Sequence, residues 1–127
     1  MKENNIELYN ETKTEIPLFD FLKIKNEILG KNFELSISIL LGKNSKKINF
    51  KQRKQKYIPN TLSFLYTENS GEIILTPEIV ESEAKDFEHG YSEHFLFLYI
   101  HSLLHLKKLD HGAPMEKLEE KYFKKFK

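Results

Sequence analysis

The sequence has no cysteine among its 127 residues. Without cysteine the chain can form neither disulfides nor thiolate metal sites, and histidine is left as its chief nitrogen ligand. It also lacks any run of the ~18 apolar residues that a membrane-spanning helix requires. Residues 1–5 are mostly polar and charged, unlike the apolar core of a signal peptide. We therefore expect a cytoplasmic protein with no membrane partner.

The chain has no internal repeat, low-complexity tract or linker, and its length fits one domain with a single core. Hydrophobic residues make up 39% of the sequence, and 10 Phe and 6 Tyr supply large core side chains. Charged residues make up 31%, which predicts a well-solvated surface. Residues 1–127 are therefore predicted to form one small folded domain.

Positive charge is concentrated in residues 43–56, although the formal net charge of the chain is only +1. This basic segment contains no acidic residue, and its cations are Lys43, Lys46, Lys47, Lys51, Arg53, Lys54 and Lys56. Such a stripe can attract a polyanion even when the protein as a whole is nearly neutral. The alternative is a solvated, lysine-rich helix face, and charge alone favours that alternative.

Hydrophobic periodicity predicts strands and helices in mixed order along the chain. Alternating residues and turn signals predict four strands, at residues 5–9, 33–41, 61–66 and 72–76. Helical spacing predicts helices at residues 17–29, 45–55, 92–109 and 113–126, with Pro17 opening the first and Ser45 capping the second. Residues 77–87 are predicted as a short helix or irregular structure. This order predicts an α+β fold in which a central mixed sheet of about four strands is packed with helices.

Three histidines near the C-terminus form a candidate metal site: His101, His105 and His111. In a helix, His101 and His105 lie one turn apart and project from the same face. A helix end after Leu109 would let the chain fold back and bring in His111. Three neutral nitrogen ligands with an open fourth position are typical of a catalytic zinc site. Packed or surface histidines are the alternative, and the spacing alone gives the two interpretations equal weight.

The neighbours of these histidines are more ambiguous. Asp110 is either a polar residue at a helix end or a group that orients a ligand imidazole through its ring N–H. His94 lies on the same helix face as His101, where an ordinary surface or core histidine is favoured over a further ligand. His89, in a His-Gly turn, is predicted to be exposed to solvent.

The spacing His-x3-His-x5-His is shared with metzincin-type proteases, but two positions disagree with that chemistry. Ser102 stands where those proteases carry a glutamate, and serine cannot act as the carboxylate general base of peptide hydrolysis. Lys108 stands where they carry a glycine. A metalloprotease is therefore disfavoured.

Residues 101–111 read His-Ser-Leu-Leu-His-Leu-Lys-Lys-Leu-Asp-His. This segment resembles the signature His-Gly-x-Leu-His-Leu-x-Gly-Tyr-Asp-His of the YbeY family of bacterial endoribonucleases. The three histidines, Leu104, Leu106 and Asp110 agree, while Ser102, Lys108 and Leu109 stand where the family prefers Gly, Gly and Tyr. An upstream family pattern, Asn-x-x-x-Arg followed by Thr-Asp-Val-Leu-Ser-Phe, aligns without gaps onto Asn49, Arg53 and residues 59–64, where Asn60 replaces the family's aspartate.

The resemblance implies one Zn²⁺ per chain on His101, His105 and His111, and a role for Arg53 in activity on RNA. It also implies a small α+β fold whose ligand helix, near the C-terminus, crosses the sheet. The implied function is cleavage of single-stranded RNA in ribosomal RNA maturation, including the small-subunit 3′ end, and in ribosome quality control. The implied partners are ribosomal RNA and the ribosome or its proteins, and the candidates for contact with the RNA backbone are Lys46, Lys47, Lys51, Lys54 and Lys56. A non-catalytic, zinc-containing ribosome-assembly factor is the alternative, and the sequence does not predict the oligomeric state.

Overall fold

A computed structural model describes residues 2–3, 5–108 and 112–127. The strands in these ranges are β1 (Lys2–Glu3), β2 (Ile6–Asn10), β3 (Glu34–Ile39), β4 (Thr61–Thr67) and β5 (Ser70–Leu75). The helices are α1 (Phe21–Leu29), α2 (Gly42–Arg53), α3 (Pro77–Ala84), α4 (Tyr91–Leu106) and α5 (Ala113–Phe126). Every helix in the described ranges is too short or too polar to cross a bilayer.

The strands form one mixed sheet in the order β1-β2-β3-β5-β4. β2, β3 and β5 run parallel to one another, whereas β1 pairs antiparallel with β2 and β4 pairs antiparallel with β5. The predicted α+β fold with a mixed sheet of about four strands is confirmed, and the unpredicted addition is the two-residue β1. β4 lies at the free edge of the sheet, and this edge carries the site described below.

The two faces of the sheet are covered by different helices. Along β5 the side chains alternate: Ile73 and Leu75 join the main core, whereas Ile74 packs on the other face with Leu62 of β4. Ile48 of α2 packs against that second cluster. Because residues of α4 lie in the main core with Ile73, α2 and α4 lie on opposite faces of the sheet.

Helix α4 is the centre of the main core. Ten of its 16 residues are buried, since it contacts the sheet as well as α1, α3 and α5. A hydrogen bond to the sheet helps to hold α4: the hydroxyl of the fully buried Ser102 lies 2.7 Å from the hydroxyl of Thr61 in β4. Near its C-terminal end, a Cβ at Gly71 would meet the Leu106 side chain at 3.1 Å and the Phe64 carbonyl at 2.7 Å. Glycine therefore lets the end of α4 approach the β4–β5 pair.

Three predicted helix boundaries are wrong by three residues or more. Helix α1 begins at Phe21 rather than Pro17, because the Asp20 carboxylate caps it by accepting a hydrogen bond from the Lys23 amide at 2.9 Å. Helix α2 begins at Gly42, so Ser45 does not cap it; the Ser45 hydroxyl is buried inside the helix and accepts a hydrogen bond from Thr76 at 2.8 Å. Helix α4 ends at Leu106, before Leu109.

Candidate functional site

A cleft of about 470 Å³ runs along the edge strand β4. One wall is the face of α4 that carries His101 and His105. The other wall is the end of α2 and the segment that follows it, which contribute Arg53, Tyr57 and Asn60. The cleft thus brings together the two sequence blocks singled out above, which come from helices on opposite faces of the sheet.

His101 and His105 converge inside this cleft. They lie one helical turn apart on α4, and their Nε2 atoms are 3.0 Å from each other. Both side chains are half-buried, and the rings meet edge to face with centroids 4.5 Å apart. The predicted projection of the two imidazoles from one helix face is therefore present in the structure.

Glu119 of α5 fixes the orientation of His101. Its carboxylate accepts a hydrogen bond from His101 Nδ1 at 2.6 Å, and the Glu119 residue is only 8% exposed. Since the Nδ1 proton is engaged, Nε2 of His101 carries the lone pair and faces His105. Sequence reasoning missed Glu119; the available signal was its position four residues after Met115, which puts a carboxylate on the buried face of α5.

The two imidazoles fit a metal ion in part. Two nitrogen ligands at about 2.0–2.1 Å from a tetrahedral zinc lie roughly 3.3 Å apart, close to the 3.0 Å between the Nε2 atoms. A cation between them would replace the hydrogen bond that His105 donates to His101. The described residues contain no group of three His, Cys, Asp or Glu side chains arranged to hold a metal. The predicted third ligand, His111, and Asp110 lie outside the described residues.

Arg53 is the last residue of α2 and lines the cleft from its other side. Helix α2 stops there because Lys54 adopts a left-handed conformation, with φ of 59°. The buried Asn49 holds the following segment by donating from its side-chain amide to the Tyr57 carbonyl at 3.1 Å. Asn49 and Arg53 thus have separate positions: Asn49 lies beneath the segment after α2, and Arg53 lines the cleft.

The five candidate RNA-binding lysines are all exposed, and none of them lines the cleft. They lie on α2 and on the segment after it: Lys46, Lys47, Lys51, Lys54 and Lys56. Their predicted contact with an RNA backbone stays a prediction. The structure places them on a continuous stretch of chain that ends at the cleft.

The remaining histidines lie apart from the pair. His94 is a core residue, 1% exposed, and its Nε2 lies 3.3 Å from the Glu83 carboxylate. The expectation that His89 is exposed is wrong: it is half-buried, since its ring packs 5.2 Å from that of Phe123. Ser102 is buried, and its hydroxyl donates to the Leu98 carbonyl at 2.9 Å.

Comparison with known proteins places this arrangement in a family. A relative from Aliarcobacter butzleri, named Endoribonuclease YbeY, is 30% identical over 131 residues, covering 96% of this chain and 92% of its own. A protein of the same name from Petrotoga mobilis is 35% identical, covering 77% of this chain and 74% of its own. Another from Mesoplasma florum is 32% identical, covering 83% of this chain and 66% of its own.

A solved structure extends the comparison to the fold. The solution structure of a Thermotoga maritima protein superposes with a TM-score of 0.67 at 27% sequence identity, and the match covers 93% of this chain and 86% of that one. The family profile of Endoribonuclease YbeY matches residues 2–127, which span both sequence blocks and all of the cleft. The resemblance seen in the histidine segment is therefore confirmed, and the chain belongs to the Endoribonuclease YbeY family.

Proposed function

We propose that the chain is a zinc-dependent endoribonuclease that cleaves single-stranded RNA. The observation that carries the proposal is that Arg53 and the pair His101–His105 line one cleft. The family to which the chain belongs supports ribonuclease activity. Its cellular role would be ribosomal RNA maturation, including the small-subunit 3′ end, and ribosome quality control, which requires a cytoplasmic location and contact with the ribosome.

The metal would be held by His101, His105 and His111, one ion per chain. A zinc ion in such a site supplies Lewis-acid activation of a phosphodiester and of water. The chain's own contribution is orientation: Glu119 accepts a hydrogen bond from Nδ1 of His101 and so keeps Nε2 directed into the cleft. Packing of α4 in the core holds both imidazoles in place before a ligand arrives.

Arg53 would bind the phosphate at which the RNA is cut. Its planar guanidinium donates two parallel hydrogen bonds to phosphate oxygens and stabilises the extra charge that develops there in the transition state. The exposed lysines of α2 would contact the phosphates of the same strand farther from the histidines. The single RNA strand would lie along β4 at the edge of the sheet, since β4 contributes all of the β-strand residues that line the cleft.

The decisive experiment compares the wild type with Arg53→Ala on single-stranded RNA, with Lys13→Ala as a control for loss of an exposed cation. We expect a loss of kcat on the order of 10²-fold for Arg53→Ala and none for Lys13→Ala. Zinc analysis of a His101→Ala, His105→Ala double variant should show loss of the metal. Equal zinc content in this variant and the wild type would remove the metal site, and equal cleavage by Arg53→Ala would remove Arg53 from the chemistry.

The exposed lysines of α2 support one alternative, a non-catalytic zinc-containing ribosome-assembly factor that binds RNA without cutting it. Treatment with EDTA separates the two functions. Loss of cleavage with the fold intact supports the enzyme, whereas absence of cleavage from the start, with unfolding on metal removal, supports the assembly factor. A metalloprotease stays disfavoured because Ser102, which is buried, cannot act as the carboxylate general base of peptide hydrolysis.

A further inference from the structure

A second pocket, of about 200 Å³, opens beside the histidine pair. It shares Asn60 and His101 with the main cleft, so the two spaces adjoin along α4. Its other polar walls are Glu83 and His94. An RNA strand whose phosphate lies between Arg53 and the histidines would therefore have this pocket within reach of a neighbouring nucleotide.

The polar group that characterises the pocket is the carboxylate of Glu83. Its Oε1 accepts hydrogen bonds from the Asn60 side-chain amide at 3.1 Å and from His94 Nε2 at 3.3 Å. Burial lowers the pKa of His94, which keeps the imidazole neutral with its proton on Nε2 and leaves Nδ1 to accept from His89 at 3.4 Å. Within the described part of the chain, Oε2 of Glu83 has no hydrogen-bond donor, and the side chain is 33% exposed. The carboxylate is thus held in place by two donors, with one oxygen available to a ligand.

Apart from Leu98, the apolar walls of the pocket are aromatic rings with similar orientations. Phe87 stacks on His94 with an interplanar angle of 21°, and Phe97 lies at 11° to His94 and at 20° to His101. The outermost ring, Phe87, is 56% exposed. Unpaired nucleobases bind to such surfaces by stacking, because every base has a flat π-face.

We propose that this pocket binds a nucleobase of the RNA substrate. The base stacks on the ring of Phe87 and donates a hydrogen bond to the carboxylate of Glu83. The inference rests on the proposed function, since it names the part of the substrate that enters beside the cut phosphate. Adenine, cytosine and guanine each present an exocyclic amino group that donates to a carboxylate oxygen. Uracil has no amino group; the one N–H on its pairing edge lies between two carbonyl oxygens, which the Glu83 carboxylate repels. The pocket therefore selects bases that carry an amino group and disfavours uracil.

The test measures the affinity of the purified, metal-containing protein for short 2′-O-methylated oligonucleotides of A, C or U by fluorescence anisotropy, with strand integrity checked on a gel. We expect the wild type to bind the A and C oligomers about tenfold more tightly than the U oligomer, the range of a hydrogen bond to a charged group. Glu83→Gln, whose amide both donates and accepts, should abolish this preference. Phe87→Ala should weaken binding of all three oligomers by roughly 5- to 100-fold, the range for loss of one stacked base.

The matched control is Tyr9→Ala, because Tyr9 is also 56% exposed but lies on β2, away from the pocket. Its affinities should equal those of the wild type. The nucleobase pocket is overturned if Phe87→Ala binds like Tyr9→Ala, or if Glu83→Gln keeps the preference against U. Either result, with Arg53→Ala still losing cleavage, leaves the proposed function standing. A wild type that neither binds nor cuts any RNA overturns both.

Discussion

The partner of His101 shows what local spacing can and cannot predict. The sequence offered Asp110, next to His111, either as a polar residue at a helix end or as a group that orients a ligand imidazole, and Asp110 lies outside the described residues. The structure supplies Glu119, 18 positions away from His101 on another helix. Helical spacing identifies residues on one face of one helix, but it does not tell which residue of α5 comes to lie against α4. The pairing of elements is a property of the folded core.

Glu119 gives the first prediction, on metal affinity. Glu119→Gln, which removes the charge, should lower zinc affinity about tenfold. Glu119→Ala, which also removes the hydrogen-bond acceptor, should lower it about 100-fold. These values are the limits usual for loss of a residue that hydrogen-bonds to a metal ligand. The reason is that His101 loses the acceptor that fixes its tautomer and ring orientation. Competition with a chromophoric chelator measures this affinity without recourse to activity.

The control for Glu119 is Glu120→Gln, which removes a carboxylate from the adjacent position of α5. Glu120 is exposed and pairs with Lys124 of the same helix at 3.0 Å. Its loss should leave zinc affinity unchanged. An equal fall in both glutamine variants would show that only net charge matters, and no fall in either Glu119 variant would remove its role.

The end of helix α4 illustrates a second limit of sequence reasoning. The apolar Leu109 continues the helical pattern, and the segment contains neither glycine nor proline to mark a stop, so the helix was predicted to extend to residue 109. The structure ends α4 at Leu106, and Lys108 follows with a left-handed φ of 70°. The signature that residues 101–111 resemble has glycine at this position, and glycine adopts this conformation without the penalty that a side chain incurs.

Lys108→Gly is therefore expected to stabilise the protein. Relief of the left-handed penalty of about 1–2 kcal/mol, offset by the greater entropy of glycine in the unfolded chain, should raise the free energy of unfolding by roughly 0.5–1 kcal/mol. Lys107→Gly is the matched control, because Lys107 has φ of −78° and gains nothing from glycine. Urea denaturation of both variants tests the prediction. It is wrong if Lys108→Gly unfolds at the same or a lower urea concentration than the wild type.

The sequence predicts the overall fold better than it predicts the cleft. Alternation along β3 and the turn between β4 and β5 predicted the strands, because period-two burial is written directly into the residue order. The residue order does not predict that Arg53 shares a cleft with the histidines. It depends on α2 covering one face of the sheet and α4 the other, with the chain after Arg53 passing the edge strand β4. Only the family resemblance had joined these two blocks.

The stability of the protein should depend on pH through the core histidine His94. Burial lowers its pKa in the folded state; the nearby Glu83 carboxylate opposes this shift, and His89 adds to it. The unfolded chain, with an ordinary pKa of about 6.5, therefore binds more protons than the folded one. The contribution of neutral His94 to stability is complete above about pH 6.5 and is lost as the pH falls through the lower, folded-state pKa.

Urea unfolding at about pH 7.5 and about pH 5.5 measures this loss, since carboxylates with ordinary pKa values stay charged at both. The wild type should lose more free energy of unfolding between these conditions than His94→Gln, which has no titrating group at that position. The two proteins differ only at position 94, so the comparison isolates this side chain. His89→Gln serves as the control because its half-buried ring faces the same cluster. Equal losses in the wild type and His94→Gln would mean that protonation of His94 does not limit stability, and that acid acts elsewhere in the fold.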